Sequence, residues 1–293
     1  MIQASSRVSL ASVFALALLL GGATACSEEP IEEPETFVEP SQGWTPVWRD
    51  DFDGPAGSAP DDLHWNVEIR PSGQNMELDY DTNDRKNSFV DGSGHLVLQA
   101  LKEQYVDETG VASSQPFTSA RLNTQGKVEQ QYGRFEARIK LPTGGQGVWP
   151  AFWLLGNDVD DAGWPECGEV DILEWRGSYP KSIVSSLHGP GYAGGNSYHD
   201  HFDLPSGSYG DDFHVFTFEW TPSAVRWLVD GTAFYVKTPQ GVKGRWAYDH
   251  PFFVILNLAI GGIFDGNPPL TTGFPQQMLI DYVSVEKLAP GPP

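Results

Sequence analysis

Cysteine is nearly absent from this chain. Its 293 residues carry two, Cys26 and Cys167, and Cys26 sits at a processing site near the N-terminus, so a disulfide between them is not expected. That leaves Cys167 as a free, buried thiol, and with no His near it in sequence a catalytic thiol is disfavoured. Cations are scarce as well. Lys and Arg total 18 against 39 Asp and Glu, a formal charge of −21. Such a surface repels phosphate backbones, which argues against nucleic acid as a partner and disfavours polyanionic polysaccharides. A neutral polymer fits best. Sustained helical periodicity and internal repeats are also missing. The apolar run from Val8 to Leu20 is too short for a comfortable membrane span. Aromatic and turn-forming residues are plentiful: 10 Trp, 10 Tyr and 16 Phe stand beside 32 Gly and 23 Pro, a composition suited to many turns and few long helices.

The N-terminus reads as an export signal over residues 1–25, with Arg7 as its positive region, Val8 to Leu20 as its apolar region and small residues from Gly21 to Ala25. The stretch from Ala23 to Cys26 resembles a bacterial lipoprotein processing box, with Ala23 where Leu is usual. A lipidated Cys26 anchors the mature protein to a membrane face, at the cell surface or in the periplasm. Ordinary cleavage after Ala25 releases a secreted protein, and this alternative stays open. The anchor is the only membrane contact expected. Residues 26–43 are rich in Glu and Pro without a core pattern, and read as a disordered tether. A catalytic domain is expected over 44–288, with a short tail at 289–293.

Within that domain, short β-branched and aromatic runs alternate with Gly, Pro, Asn and Asp. Examples are Leu96 to Ala100, Gly133 to Leu141, Ile183 to Leu187, Val215 to Trp220, Val225 to Val229, Phe252 to Ala259 and Met278 to Val285. From Phe135 to Leu141 apolar and charged residues alternate with period two, the mark of a strand with one wet face. Asp230-Gly231 carries a hairpin signal. The reading is an all-β chain: a β-jelly-roll sandwich of two curved antiparallel sheets, with a concave groove long enough for a polymer.

The run from Gly168 to Glu174 sets Glu169, Asp171 and Glu174 within six residues of a strand-like stretch. On a regular strand Glu169 and Asp171 share a face, and strict alternation puts Glu174 on the other. A β-bulge between Asp171 and Glu174 inserts one residue and restores the common face. Three carboxylates on one surface repel each other enough to keep at least one protonated near neutral pH. One neutral acid beside one ionised carboxylate is what glycosidic bond cleavage requires. Alone, the pattern is weak and equally compatible with a wet strand face. Its neighbours add weight: Trp149, Trp153, Trp164 and Trp175 offer aromatic faces suited to the apolar C–H faces of sugar rings, although each Trp singly also suits a core.

Beyond the carboxylate run, the blocks Ser119 to Thr124, Tyr132 to Pro142, Gly147 to Gly156, Trp164 to Glu174, Leu187 to Tyr192, Phe218 to Pro222 and Ile280 to Val283 together resemble glycoside hydrolase family 16, in its laminarinase-like branch. They cover most of residues 44–288 in family order. The resemblance implies a jelly roll and endo-hydrolysis of β-1,3-glucan with retention of configuration, an activity on mixed β-1,3/1,4-glucan being left open. It implies Glu169 as nucleophile, Glu174 as acid/base and Asp171 as the residue that holds the nucleophile's charge state and orientation. No cofactor is needed for catalysis. Trp149, Trp153, Trp164, Arg121, His188 and Asn75 match positions that bind substrate. His188 reads equally as a strand-end residue capping a loop, and Arg121 as an ion-pair partner. Asp281 matches a ligand for structural Ca²⁺, with backbone oxygens near Asp51 and Gly94. A monomer is expected. Two segments depart from the family pattern: Asn75-Met76-Glu77-Leu78-Asp79, where Asn-Asn-Glu-Leu-Gln is usual, and Gly261-Gly262-Ile263-Phe264-Asp265-Gly266, where Gly-Gly-Asn-Trp-Pro-Gly is frequent. Two alternatives remain at this point: a galactan (agar-type) hydrolase of the same fold, and a non-catalytic β-glucan-binding protein.

Overall fold

Alternation at Gly133–Lys140 buries Phe135, Ala137 and Ile139 completely and leaves Arg134, Glu136, Arg138 and Lys140 on the outer face. That single strand sets the plan of the molecule, an inward apolar face and an outward polar one. The computed structural model describes residues 35–41 and 43–289. The expected signal peptide, the Cys26 lipidation site and the first part of the tether lie outside the described residues.

In chain order the strands are β1 (Trp44–Asp50), β2 (Asn66–Val67), β3 (Arg70–Pro71), β4 (Asp79–Asp81), β5 (Ser88–Val90), β6 (Leu96–Ala100), β7 (Phe117–Ser119), β8 (Arg121–Asn123), β9 (Glu129–Gln130) and β10 (Gly133–Lys140). They continue with β11 (Val148–Gly156), β12 (Glu169–Trp175), β13 (Ser182–His188), β14 (Tyr198–Asp203), β15 (His214–Trp220), β16 (Val225–Val229), β17 (Thr232–Lys237), β18 (Phe252–Ile260) and β19 (Gln276–Leu288). One sheet has the order β17-β16-β15-β10-β19-β6-β5, with β1 also paired to β19. The other runs β14-β13-β12-β11-β18-β8-β2, with β9 also on β18. A small third sheet joins β3, β4 and β7. The pairings within the two large sheets are antiparallel. The fold is the jelly-roll sandwich expected from the sequence.

Phe135, Phe216, Phe218, Trp220 and Trp227 from the first sheet meet Phe152, Leu154, Val170, Val254 and Leu256 from the second in one core cluster. Each such side chain stabilises the fold by about 1.5–3 kcal/mol on burial. The second sheet therefore spends one face on the core. Its other face carries Trp149, Trp153, Glu169 and Glu174, which are only half-buried.

The tether ends earlier than its composition suggested. Residues 35–40 lie against β16 and β17 instead of extending freely. The Glu35 carboxylate accepts from the Thr238 N–H (2.8 Å) and hydroxyl (3.0 Å) and pairs with Lys237. Arg226 pairs with Glu39 and sits 4.3 Å from the Phe37 ring centroid. Acidic residues that look like a solvated linker thus find two partly buried cations. Charge-assisted bonds of this kind are stronger than neutral ones. A chain beginning at Trp44 should melt about 2–4 °C below one beginning at Glu35, as expected for a loss near 1 kcal/mol in a domain of this size. Calorimetry of the two forms tests it, and identical melting would mean the strap contributes nothing.

Candidate active site

β12 lies between β11 and β13. On the β13 side Glu169 faces His188 and Asp171 faces Ser186, and the register then slips so that Glu174 faces Val184. On the β11 side Leu155 faces Glu169, Trp153 faces Asp171, Phe152 faces Leu173 and Ala151 faces Glu174. Ile172 and Leu173 thus form the expected bulge, both turned into the core at 2% and 0% exposure. The bulge leaves main-chain carbonyls short of ladder partners. Two side chains supply them: Ser185 Oγ donates to the Ile172 carbonyl (2.7 Å), and Trp227 Nε1 donates to the Asp171 carbonyl (3.0 Å). Trp227 reaches there from β16, through the core. Trp227→Phe would orphan a buried carbonyl, a loss of about 1–3 kcal/mol. We expect a lower melting temperature and a reduced kcat at nearly unchanged KM, read by thermal denaturation and steady-state kinetics. A variant that loses stability but keeps full kcat would show that the bulge holds its shape without Trp227.

The three carboxyl groups sit in different surroundings. Trp164 Nε1 donates to Glu169 Oε2 (3.0 Å), and Trp149 Nε1 donates to Glu174 Oε1 (3.1 Å). His188 Nε2 is 3.0 Å from Asp171 Oδ2 and 3.7 Å from Glu169 Oε1. The Gly194 N–H donates to His188 Nδ1 (3.1 Å), which places the ring proton on Nε2, the nitrogen nearest both carboxylates. Burial, assisted by the Asp171 charge and opposed by His188, pushes Glu169 up to about 8. Burial alone does the same to Asp171. Glu174 also rises to about 8, through burial and the Asp171 charge. The trio therefore retains protons at neutral pH, and an acid and an ionised carboxylate can coexist on one face. Glu169, Asp171 and His188 also offer ligand atoms within 4.8 Å of one another. Closing them on a metal ion requires loss of the Nε2 proton.

All the substrate-binding residues expected from the sequence meet in one cleft of about 1170 Å³. Trp149, Trp153, Trp164, His188, Arg121 and Asn75 line it together with the carboxylates. Trp164 stands at the rim, 49% exposed. Arg121 does two things at once: its Nε donates to Glu68 (2.9 Å) while its guanidinium lies 4.7 Å from the Trp153 ring centroid. Asp281 is elsewhere, on β19, where its Oδ2 accepts from Arg138 Nη1 (2.6 Å). One oxygen of the Asp281 carboxylate is thus engaged by a guanidinium, away from the cleft. Cys167 is the buried free thiol anticipated, its pKa pushed up to about 12 by burial.

Several cleft residues escaped the sequence reading. Asn257 accepts from Trp153 Nε1 (2.8 Å), and its signal was present: it is the one polar residue in the apolar run Phe252–Ile260. Phe264 packs 5.0 Å from Trp149, and Arg176 lies over both Phe264 and Tyr179. Asp265 fastens this loop by accepting from the Gly147 N–H (2.8 Å) and bonding Ser178. Beside this loop, where the Ile263 N–H donates to the Asn75 carbonyl (2.9 Å), Asp79 and Asp81 are both buried. Burial and the Asp81 charge raise Asp79 well above the carboxylate range, and its Oδ1 accepts from the Ile260 N–H (2.7 Å). Both departing segments, Asn75–Asp79 and Gly261–Gly266, thus line or brace the same wall.

Residues 75–284 match the family described as Glycosyl hydrolases family 16. This chain belongs to that family. It is 34% identical over 286 residues to a beta-glucanase of Rhodothermus marinus, covering 94% of this chain and 93% of that protein. Its fold matches the catalytic domain of an endo-1,3-beta-glucanase (laminarinase) from Thermotoga petrophila RKU-1 with a TM-score of 0.77 at 43% identity, over 84% of this chain and 98% of that one. An endo-beta-1,3-glucanase from Pyrococcus furiosus gives 0.79 at 39% identity, over 88% and 100%. The chain is a glycoside hydrolase, laminarinase-like in sequence and fold.

Proposed function

We propose that this hydrolase cuts internal β-1,3 bonds of glucans such as laminarin and curdlan, with retention of configuration. The observation that carries the reading is the bulge of β12, which turns Glu169, Asp171 and Glu174 to one face between Trp149 and Trp164. In the protonation state that leaves Glu169 ionised and Glu174 protonated, Glu169 attacks the anomeric carbon while Glu174 gives its proton to the departing glycosidic oxygen, leaving a glycosyl-enzyme ester. Glu174, now ionised, takes a proton from water as that water attacks the same carbon and frees Glu169. Asp171, with the His188 proton beside it, holds the charge and orientation of the nucleophile. Mixed-linkage β-1,3/1,4-glucan belongs to the proposed range as a secondary substrate.

Reducing-sugar release on laminarin, curdlan, barley mixed-linkage glucan and agarose, side by side, tests the proposal. Short oligomers from laminarin and curdlan support it, with the β-anomer first in the NMR spectrum. Silence on both with cleavage of agarose would overturn the substrate and keep the family. We also propose export, with a lipid on Cys26. Cys26→Ala should move the protein from membranes to the soluble fraction of a bacterial host, and an unmoved distribution would refute the anchor.

A further inference from the structure

The cleft extends past the catalytic strand to the edge of its sheet. Cross-strand register puts Glu174, Val184 and His201 in one row, and Asp171, Ser186 and His199 in the next. Successive strands lie about 4.8 Å apart, so the imidazoles stand about 10 Å from the carboxylates. Between them β13 presents Ser182, Val184 and Ser186, which leave a shallow trough. β14 alternates strictly. Tyr198 and Phe202 pack on Tyr192 and Phe234, while His199, His201 and Asp203 are exposed and line the cleft.

We propose that His199 and His201 form a distal sugar subsite for the glucan chain, resting on the substrate class proposed above. Polar side chains on edge strands often serve only to block pairing with another sheet. These two instead project from the sheet face into the same cleft that holds the carboxylates. An imidazole offers a flat face to a pyranose ring and polar nitrogens to its hydroxyls. His199 Nδ1 donates to the Ser197 carbonyl (3.2 Å), which frees Nε2 to accept from a sugar hydroxyl. The nearest acid to His201 is Asp200, 3.6 Å from Nδ1, too long to fix the ring. Gly194, Gly195 and Ser197 border the same end with little bulk, so a chain can enter there.

The test compares the wild-type enzyme with His199→Ala/His201→Ala on β-1,3-gluco-oligosaccharides of increasing length. For long oligomers kcat/KM should fall roughly three- to tenfold, mostly through KM, and the favoured bond should move along the chain. Oligomers too short to reach β14 should be cut at the wild-type rate. His199→Phe/His201→Phe should recover part of the long-chain loss, because it restores the flat faces. Equal loss at all lengths, or no loss at any, would overturn the subsite. A wild-type enzyme inert on every β-1,3 oligomer would instead overturn the substrate class, and this proposal with it.

Discussion

Glu174→Ala should lower hydrolysis of a natural glucan by about a hundred- to ten-thousandfold while leaving glucan binding intact. A sugar alkoxide is a poor leaving group and departs only as it is protonated. Glu174 holds its proton because burial and the Asp171 charge raise it to about 8, and Trp149 Nε1 orients its Oε1. The variant keeps Glu169 and the aromatic walls, so ground-state contacts persist. With an activated aryl leaving group the first step no longer needs an acid, and the glycosyl-enzyme should accumulate because water has lost its base. Azide, a nucleophile that needs no deprotonation, should then restore turnover and yield a β-glycosyl azide. Unchanged turnover of glucan would sink the role of Glu174. An α-azide would sink the retaining mechanism.

The second large effect is on stability. Glu169→Gln should abolish activity and, at pH 8, stabilise the fold by up to about 4 kcal/mol, or on the order of 10 °C in melting temperature. Burial, with the Asp171 charge beside it, pushes the folded-state Glu169 carboxyl from an ordinary 4.5 up to about 8. Between those values the folded protein keeps a proton that the unfolded chain releases. Stability contributed by the protonated carboxyl is therefore complete below pH 4.5 and is lost as pH rises toward 8. Glutamine does not titrate, and its oxygen can still accept from Trp164 Nε1. The variant and wild type should melt together near pH 4 and separate progressively above it. A constant gap at all pH values, or a less stable variant at pH 8, would mean that Glu169 is not held against its charge.

Much of this was legible in the sequence. Strict alternation at Phe135–Leu141 marked a wet-faced strand, and the spacing of Glu169, Asp171 and Glu174 required the bulge that β12 displays. What escaped depends on contacts between residues far apart in the chain. Glu35 and Glu39 look like linker until Lys237 and Arg226 are brought to them. Phe264 becomes a wall only because Asp265 ties its loop to Gly147 and Ser178. The position of His201 follows from register across β12, β13 and β14, which composition does not specify. Asp281, singled out by family position, is engaged by Arg138, a neighbour that no local pattern announces.

The indole of Trp227 reaches from one sheet to the backbone of the other at the point where the catalytic strand bulges. The curvature that aligns the carboxylates is thus braced from behind, by a residue no substrate touches. The loops at Asn75–Asp79 and Gly261–Gly266 make no part of this brace, so a change in them that spares the Phe264 contact with Trp149 leaves the bulge in place. Diversification of substrate range and preservation of chemistry fall to separate parts of the molecule. Grafting new rims onto this scaffold should alter which polymer is cut long before it alters how the bond is broken.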